Sequence, residues 1–173
     1  MKKLLLLVLL TVLCVPLRAQ DFRDVTWGMT VNEVKQIEPG KVLDENENMF
    51  VYAVELAGKD ALLFYKHHNG RVVGGGYSFQ ARHADKNAYI SDYEDLKNQL
   101  IIEYGGPTSD EVIWKNDRYR DDLDNYGAAV GKGYLVYWSD WEAGNTRIEL
   151  ALHGNNDLHV LAMKYNSTMQ GEK

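Results

Sequence analysis

Five histidines, 25 carboxylates and one cysteine are the side chains of this 173-residue sequence that could do chemistry, and their spacing decides which chemistry is open to them. His67 and His68 are adjacent, and His153 and His159 flank a turn, so zinc is the first question. Zinc wants three or four ligands converging at about 2.0–2.3 Å. A four-residue loop over Gly154 to Asp157 would set His153 opposite Leu158 and His159 opposite Leu152, sending the two imidazoles to opposite faces. The histidines therefore read as strand-end residues, and no metal is assigned.

Calcium and hydrolytic patterns fail in a similar way. Asp44-Glu45-Asn46-Glu47-Asn48 places oxygens at the first, third and fifth positions of a calcium loop, with Glu55 at the twelfth, but Met49 stands where the sharp turn needs glycine. Asp122 to Gly127 keeps that glycine and has Gly133 where the closing carboxylate belongs. Gly76-Tyr77-Ser78-Phe79-Gln80 lacks the second glycine of a nucleophile elbow. No catalytic residue and no cofactor is assigned, and the chain is not expected to be an enzyme.

The cysteine, Cys14, lies in an apolar run that follows Lys2 and Lys3 and ends at Pro16-Leu17-Arg18-Ala19-Gln20. That is the layout of a secretory signal peptide, read as residues 1–19. The run from Leu4 to Leu17 is shorter than the roughly 20 residues that span a bilayer, so no membrane span is expected. A lipid anchor at Cys14 would need a small residue before it, and Leu13 stands there, which argues against one. The protein is expected to be exported, periplasmic or extracellular, without disulfides. Loss of the leader lowers Lys+Arg from 19 to 16 against 25 Asp+Glu, a formal charge of −9, which excludes nucleic acid as an expected partner.

These residues must be carried by helices and meanders. Thr30-Val31-Asn32-Glu33 and Ser91-Asp92-Tyr93-Glu94 both read as capping boxes. They predict helices over Val31 to Glu38, and over Asp92 to Tyr104 with Tyr93, Leu96, Leu100 and Ile101 inward. Strands are predicted over Met49 to Leu56, Ala61 to His67, Val72 to Phe79, Tyr134 to Trp141, Thr146 to His153 and Leu158 to Tyr165, joined by hairpin turns. Ala57 to Phe79 overlays Ala143 to Tyr165 without a gap at an offset of 86. The expected fold class is therefore α+β: residues 20–173 form one domain, an antiparallel sheet from two helix-plus-β-meander half-repeats (about 22–88 and 89–168) with the helices on one face. The extra length of the second half, about 109–133 and centred on Lys115 to Gly133, reads as a surface insertion.

Trp27-Gly28-Met29-Thr30-Val31-Asn32-Glu33-Val34 resembles the Gly-Met-Thr/Ser-x-x-Glu/Gln-Val opening of repeats in the β-lactamase-inhibitor-protein-like fold, shared with small outer-membrane-assembly lipoproteins. Tyr104-Gly105-Gly106-Pro107 is similar to the Gly-x-Pro that ends their helical part, and exported bacterial proteins of unassigned function share the Trp-Gly-Met opening. The second half lacks Gly-Met-Thr before Ser91. The resemblance implies a helix-plus-meander unit used for protein binding without catalysis.

Aromatic residues carry the functional reading. Tyr134, Tyr137, Trp138 and Trp141 share one strand, and such rings dominate interface hot spots because they bury much area at little rotamer cost. Alternation lets only one of the pairs Tyr137/Trp141 and Tyr134/Trp138 face the core. Tyr65, His67, Tyr137, Trp141, Arg147 and Glu149 are taken as the wet face, which binds another protein or an envelope component. The competing reading is a periplasmic enzyme or small-ligand binder with a groove near Gly74-Gly75-Gly76, a run that otherwise signals a bulge or a helix lying close on the sheet.

Overall fold

The computed structural model describes residues 20–169. The signal peptide, its cleavage near Ala19 and the lipid-anchor question at Cys14 concern residues outside that range. The chain runs α1 (Val31–Ile37), β1 (Asp44–Glu45), β2 (Met49–Leu56), β3 (Lys59–His68), β4 (Arg71–Phe79), α2 (Ala88–Tyr104), β5 (Ser109–Trp114), α3 (Tyr126–Gly131), β6 (Leu135–Ala143), β7 (Thr146–Asn155) and β8 (Leu158–Ser167). All eight strands form one antiparallel sheet in the order β1-β2-β3-β4-β8-β7-β6-β5, with the helices to one side. No helix among the described residues is long and apolar enough to cross a membrane.

Local chemistry accounts for most element ends. Thr30 and Glu33 close the expected capping box, Glu33 N–H donating to Thr30 Oγ1 at 3.3 Å and Thr30 N–H to Glu33 Oε2 at 2.7 Å. The hairpins are tight. Ala57-Gly58 (φ 54°, 72°), Asn69-Gly70 (50°, 73°) and Asn156-Asp157 (50°, 64°) each turn with both residues left-handed, the I′ geometry that matches strand twist. The expected four-residue loop over Gly154 to Asp157 is thus a two-residue turn, and His153 pairs Val160 while His159 pairs Gly154.

Three expectations are corrected. The second helix begins at Ala88, so Ser91 lies inside its first turns and caps nothing. Asn87 stands at its start, its side chain accepting from Gly127 N–H at 2.6 Å and donating to the carbonyls of Leu123 and Asp124. The Glu94 carboxylate is held instead by Lys97 at 2.8 Å. Ile101 is 37% exposed, because Tyr93, Leu96 and Leu100 already fill the inward stripe and Ile101 lies roughly 100° round from Leu100.

The third correction is the insertion, which is built into the fold. Ser109 to Trp114 is an edge strand, β5, paired with β6 through Val112 and Tyr137. After two short 3-10 turns, α3 buries Gly127, Ala129, Val130 and Gly131. A Cβ at Gly127 would strike the Lys86 carbonyl, and one at Gly131 would sit 2.7 Å from the His159 ring, so the small residues let α3 dock where ordinary side chains would not.

Candidate functional site: the open face of the sheet

Alternation across eight strands divides the side chains into two sets. On the helix side lie Phe50, Tyr52, Leu63, Tyr65, Tyr77, Tyr137, Trp141, Ile148, Leu150 and Leu152, all buried in one core. On the other side, cross-strand register lines up Leu62, Ser78, Ala162, Ala151 and Trp138 in one row, and Phe64, Gly76, Lys164, Glu149 and Asp140 in the next. The helices leave this second face open.

The six residues expected on one wet face are split by this division. Tyr65 (0% exposed), Tyr137 (7%) and Trp141 (1%) are core residues under the helices. The Tyr65 hydroxyl donates to Glu38, the Trp141 indole N–H donates to the Gly105 carbonyl at 2.9 Å, and the Tyr137 ring packs 5.4 Å from that of Tyr93. His67 sits half-buried beyond a bulge, 6.2 Å from the Phe50 ring. Only Arg147 and Glu149 join the open face. The parity of β3 was undetermined by its pattern, since Leu62 and Phe64 are as apolar as Leu63 and Tyr65.

Two rings that alternation alone could not place flank the open face. Phe64 on β3 carries the Lys66 ammonium 5.8 Å from its centroid, and Trp138 on β6 carries the Arg147 guanidinium at 5.9 Å. Arg147 also reaches Asp140 at 3.3 Å and Glu149 at 3.7 Å, so one guanidinium organises three neighbours across β6 and β7. Between the rings the floor is small: Gly76, Ser78, Ala162 and Ala151. One row of this face is mostly apolar, and the row beside it carries Lys164, Glu149 and Asp140.

The glycine run serves this architecture. A bulge lies opposite Lys66/His67, as one of the two sequence signals implied. The element close on the sheet is not a helix but the Phe22 ring, 2.7 Å from where a Gly75 Cβ would stand. On the open face the Phe64 ring occupies the equivalent space over Gly76, at 2.8 Å. The groove anticipated near Gly74–Gly76 is therefore filled by the chain's own rings at Gly75 and Gly76.

Phe22 belongs to an N-terminal strap that holds the helix side in place. Its neighbour Arg23, at φ 53°, grips Glu38 through two nitrogens at 2.8 and 3.0 Å and donates to the Tyr77 hydroxyl at 3.1 Å. Burial pulls the guanidinium pKa down, but hydrogen bonds and charge from Tyr77 and Glu38 outweigh it and hold it above the ordinary value. Burial, reinforced by Glu38, pushes the Tyr65 phenol far above its usual range. Every member of this cluster has a hydrogen-bonding partner, so the buried polar groups are satisfied together.

Among the described residues no three histidine, cysteine or acidic side chains gather as a metal-binding set. His153 faces the open side and His159 the helix side, while Asp44 and Glu45 belong to β1. Fold and site together define an α+β protein with a one-sided antiparallel sheet and an open, aromatic-flanked face. No protein-family model matches this chain, no curated protein matches it in sequence, and no solved structure matches it.

Proposed function

We propose that this is an exported, non-catalytic binding protein that docks another protein on the open face of its sheet. The observation that carries the reading is the apolar row Leu62–Ser78–Ala162–Ala151–Trp138, which lies across the face opposite the helices. Leu62, Ala151 and Trp138 are part-exposed in that row around the buried Ala162, and apolar side chains left facing water together suit an interaction site. Glu55, Glu111, Asp140, Glu142 and Glu149 outnumber Lys66, Arg147 and Lys164 on the same face, so the fitting partner presents an apolar patch rimmed by cations. That balance also disfavours an anionic lipid surface. Export rests on the leader-like residues 1–19, and the Gly-Met-Thr-x-x-Glu-Val likeness adds a helix-plus-meander binding unit as precedent. We read the two meanders, overlaid at an offset of 86 and joined through β4 and β8, as copies of one duplicated unit.

Site-specific photocrosslinking in the envelope tests the reading. A benzophenone side chain replacing Ala151, at the centre of the open face, is expected to trap one discrete protein, and the same probe replacing Asn98 on the exposed side of α2 is not. Trp138→Ala, with melting temperature unchanged, should abolish the adduct at position 151. No adduct, or equal adducts from both positions, would sink the proposal.

A further inference from the structure

The first described residue that the fold engages through its backbone is Asp21. Its N–H donates to the Val25 carbonyl at 2.9 Å, its carboxylate accepts from the Trp27 backbone N–H at 2.8 Å, and its carbonyl accepts from the Thr146 hydroxyl at 3.4 Å. Phe22 follows and is buried. Gln20, one step earlier, is exposed, and its backbone makes no hydrogen bond with another described residue. Upstream, Ala19 is the one small residue between Val15 and Asp21, and a leader is cut after a small residue.

We propose that removal of the leader after Ala19 makes Gln20 the N-terminal residue and that Gln20 then closes on itself to pyroglutamate, a modification that leaves the mature chain beginning with a neutral lactam. The inference rests on the export reading above, because the cut after Ala19 is what frees the Gln20 amine.

The chemistry is complete within one residue. The freed α-amine, in its neutral form, attacks the side-chain amide carbon Cδ. The N–Cδ bond closes a five-membered ring, the Cδ–Nε2 bond breaks, and a proton of the amine leaves with Nε2 as ammonia. No oxidant, reductant or cofactor enters. An α-amine titrates at about 7.7–8.0, so part of it is nucleophilic at neutral pH, and amine and amide are held within one residue of each other.

Two features of the structure leave this path open. Gln20 lies outside every helix and strand, so closing the ring disturbs no backbone ladder. Its amide is held by Asp24, Nε2 donating to Oδ1 at 3.0 Å, but both side chains face water, and a bond exchanged so readily for water does not keep the amide from the amine. The product guards the strap. Trimming from a free α-amine would soon reach Phe22 and Arg23, and the packing of Phe22 on Tyr165 and the ion pair of Arg23 with Glu38 hold the helix side. Gln20 also lines a cleft of about 610 Å³ with Trp27, Asn145 and Met169, and the lactam removes an ammonium charge from its edge.

Intact-mass and N-terminal peptide mass spectrometry of the mature protein, taken without storage from the envelope fraction of exporting cells, tests the proposal. The expected mass is that of residues 20–173 less one ammonia, with the deficit carried by the first residue in the fragment ions. Gln20→Asn, whose side chain could close only a strained four-membered ring, should keep a free amine and lose its first residue to added aminopeptidase, while the wild type resists. A chain that begins at Gln20 with a free amine overturns the proposal and leaves the export reading standing. A chain that begins at another residue overturns the cut after Ala19 and this proposal with it, and a retained leader sinks the export reading as well.

Discussion

The indole N–H of Trp27 donates to the hydroxyl of Thr146 at 2.9 Å, a buried bond across 119 residues that joins the start of the described chain to the first residue of β7. It explains why the strap is in the core at all: Phe22, Val25 and Trp27 are buried although the segment has almost no secondary structure of its own. Asp21 supports the same turn by accepting from the Trp27 backbone N–H at 2.8 Å. A double-mutant cycle with Trp27→Phe and Thr146→Val should give a coupling of about 1 kcal/mol in urea unfolding. Additive losses would mean that the bond contributes nothing beyond packing.

Glu38 is the buried charge on which the strap closes, held by Arg23 and Tyr65. Removing one partner of such a pair leaves the other uncompensated. Because the Arg23 side chain is 30% exposed, water takes up part of the loss, and Glu38→Ala is expected to cost about 2–3 kcal/mol. Arg23→Met/Glu38→Leu should be more stable than Glu38→Ala alone; the opposite order in denaturant midpoints would refute this account.

Gly75 has no room for a side chain, since the Phe22 ring stands 2.7 Å from the missing Cβ. Gly75→Ala should therefore cost about 1–3 kcal/mol by overpacking. Gly106, where a Cβ would meet nothing within 4 Å, supplies the control, and Gly106→Ala should stay within about 0.5 kcal/mol of wild type in the same unfolding assay.

Acid should act on Asp92. Burial tends to raise its pKa, but hydrogen bonds and charge from Lys59 and His83 prevail and hold the carboxyl below its ordinary value of 3.8. A depressed carboxyl contributes stability that is fully present above the unfolded value and lost as pH falls through the lower folded one. The stability gap between wild type and Asp92→Asn should thus be widest near neutrality and shrink below about pH 4. A gap that persists unchanged at low pH would show that Asp92 works through packing alone.

The fold class and most element boundaries were legible in the residues because they follow from local rules. Met49 to Leu56 was read with both ends correct, and Thr30 with Glu33 marked α1 by a bond that closes within four residues. The Ile148, Leu150, Leu152 alternation likewise needs no distant partner to show which side is apolar. Ser91 with Glu94 satisfied the same capping rule and failed, because Asn87 is tied to the insertion and the helix starts there. β5 was invisible because its exposed edge position leaves it no buried stripe.

What tertiary structure alone decided is which face of the sheet each side chain occupies. Tyr65, Tyr137 and Trp141 have the residue types of an interface, yet the helices and the Phe22 strap close over their side. Phe64 and Trp138, one position away, are left on the other. A sequence with period 2 specifies that neighbours part, but which parity meets the helices depends on a bulge in β3–β4, on strand order and on where the strap docks. Each of those is set by contacts between residues far apart in the chain, and no local pattern encodes them.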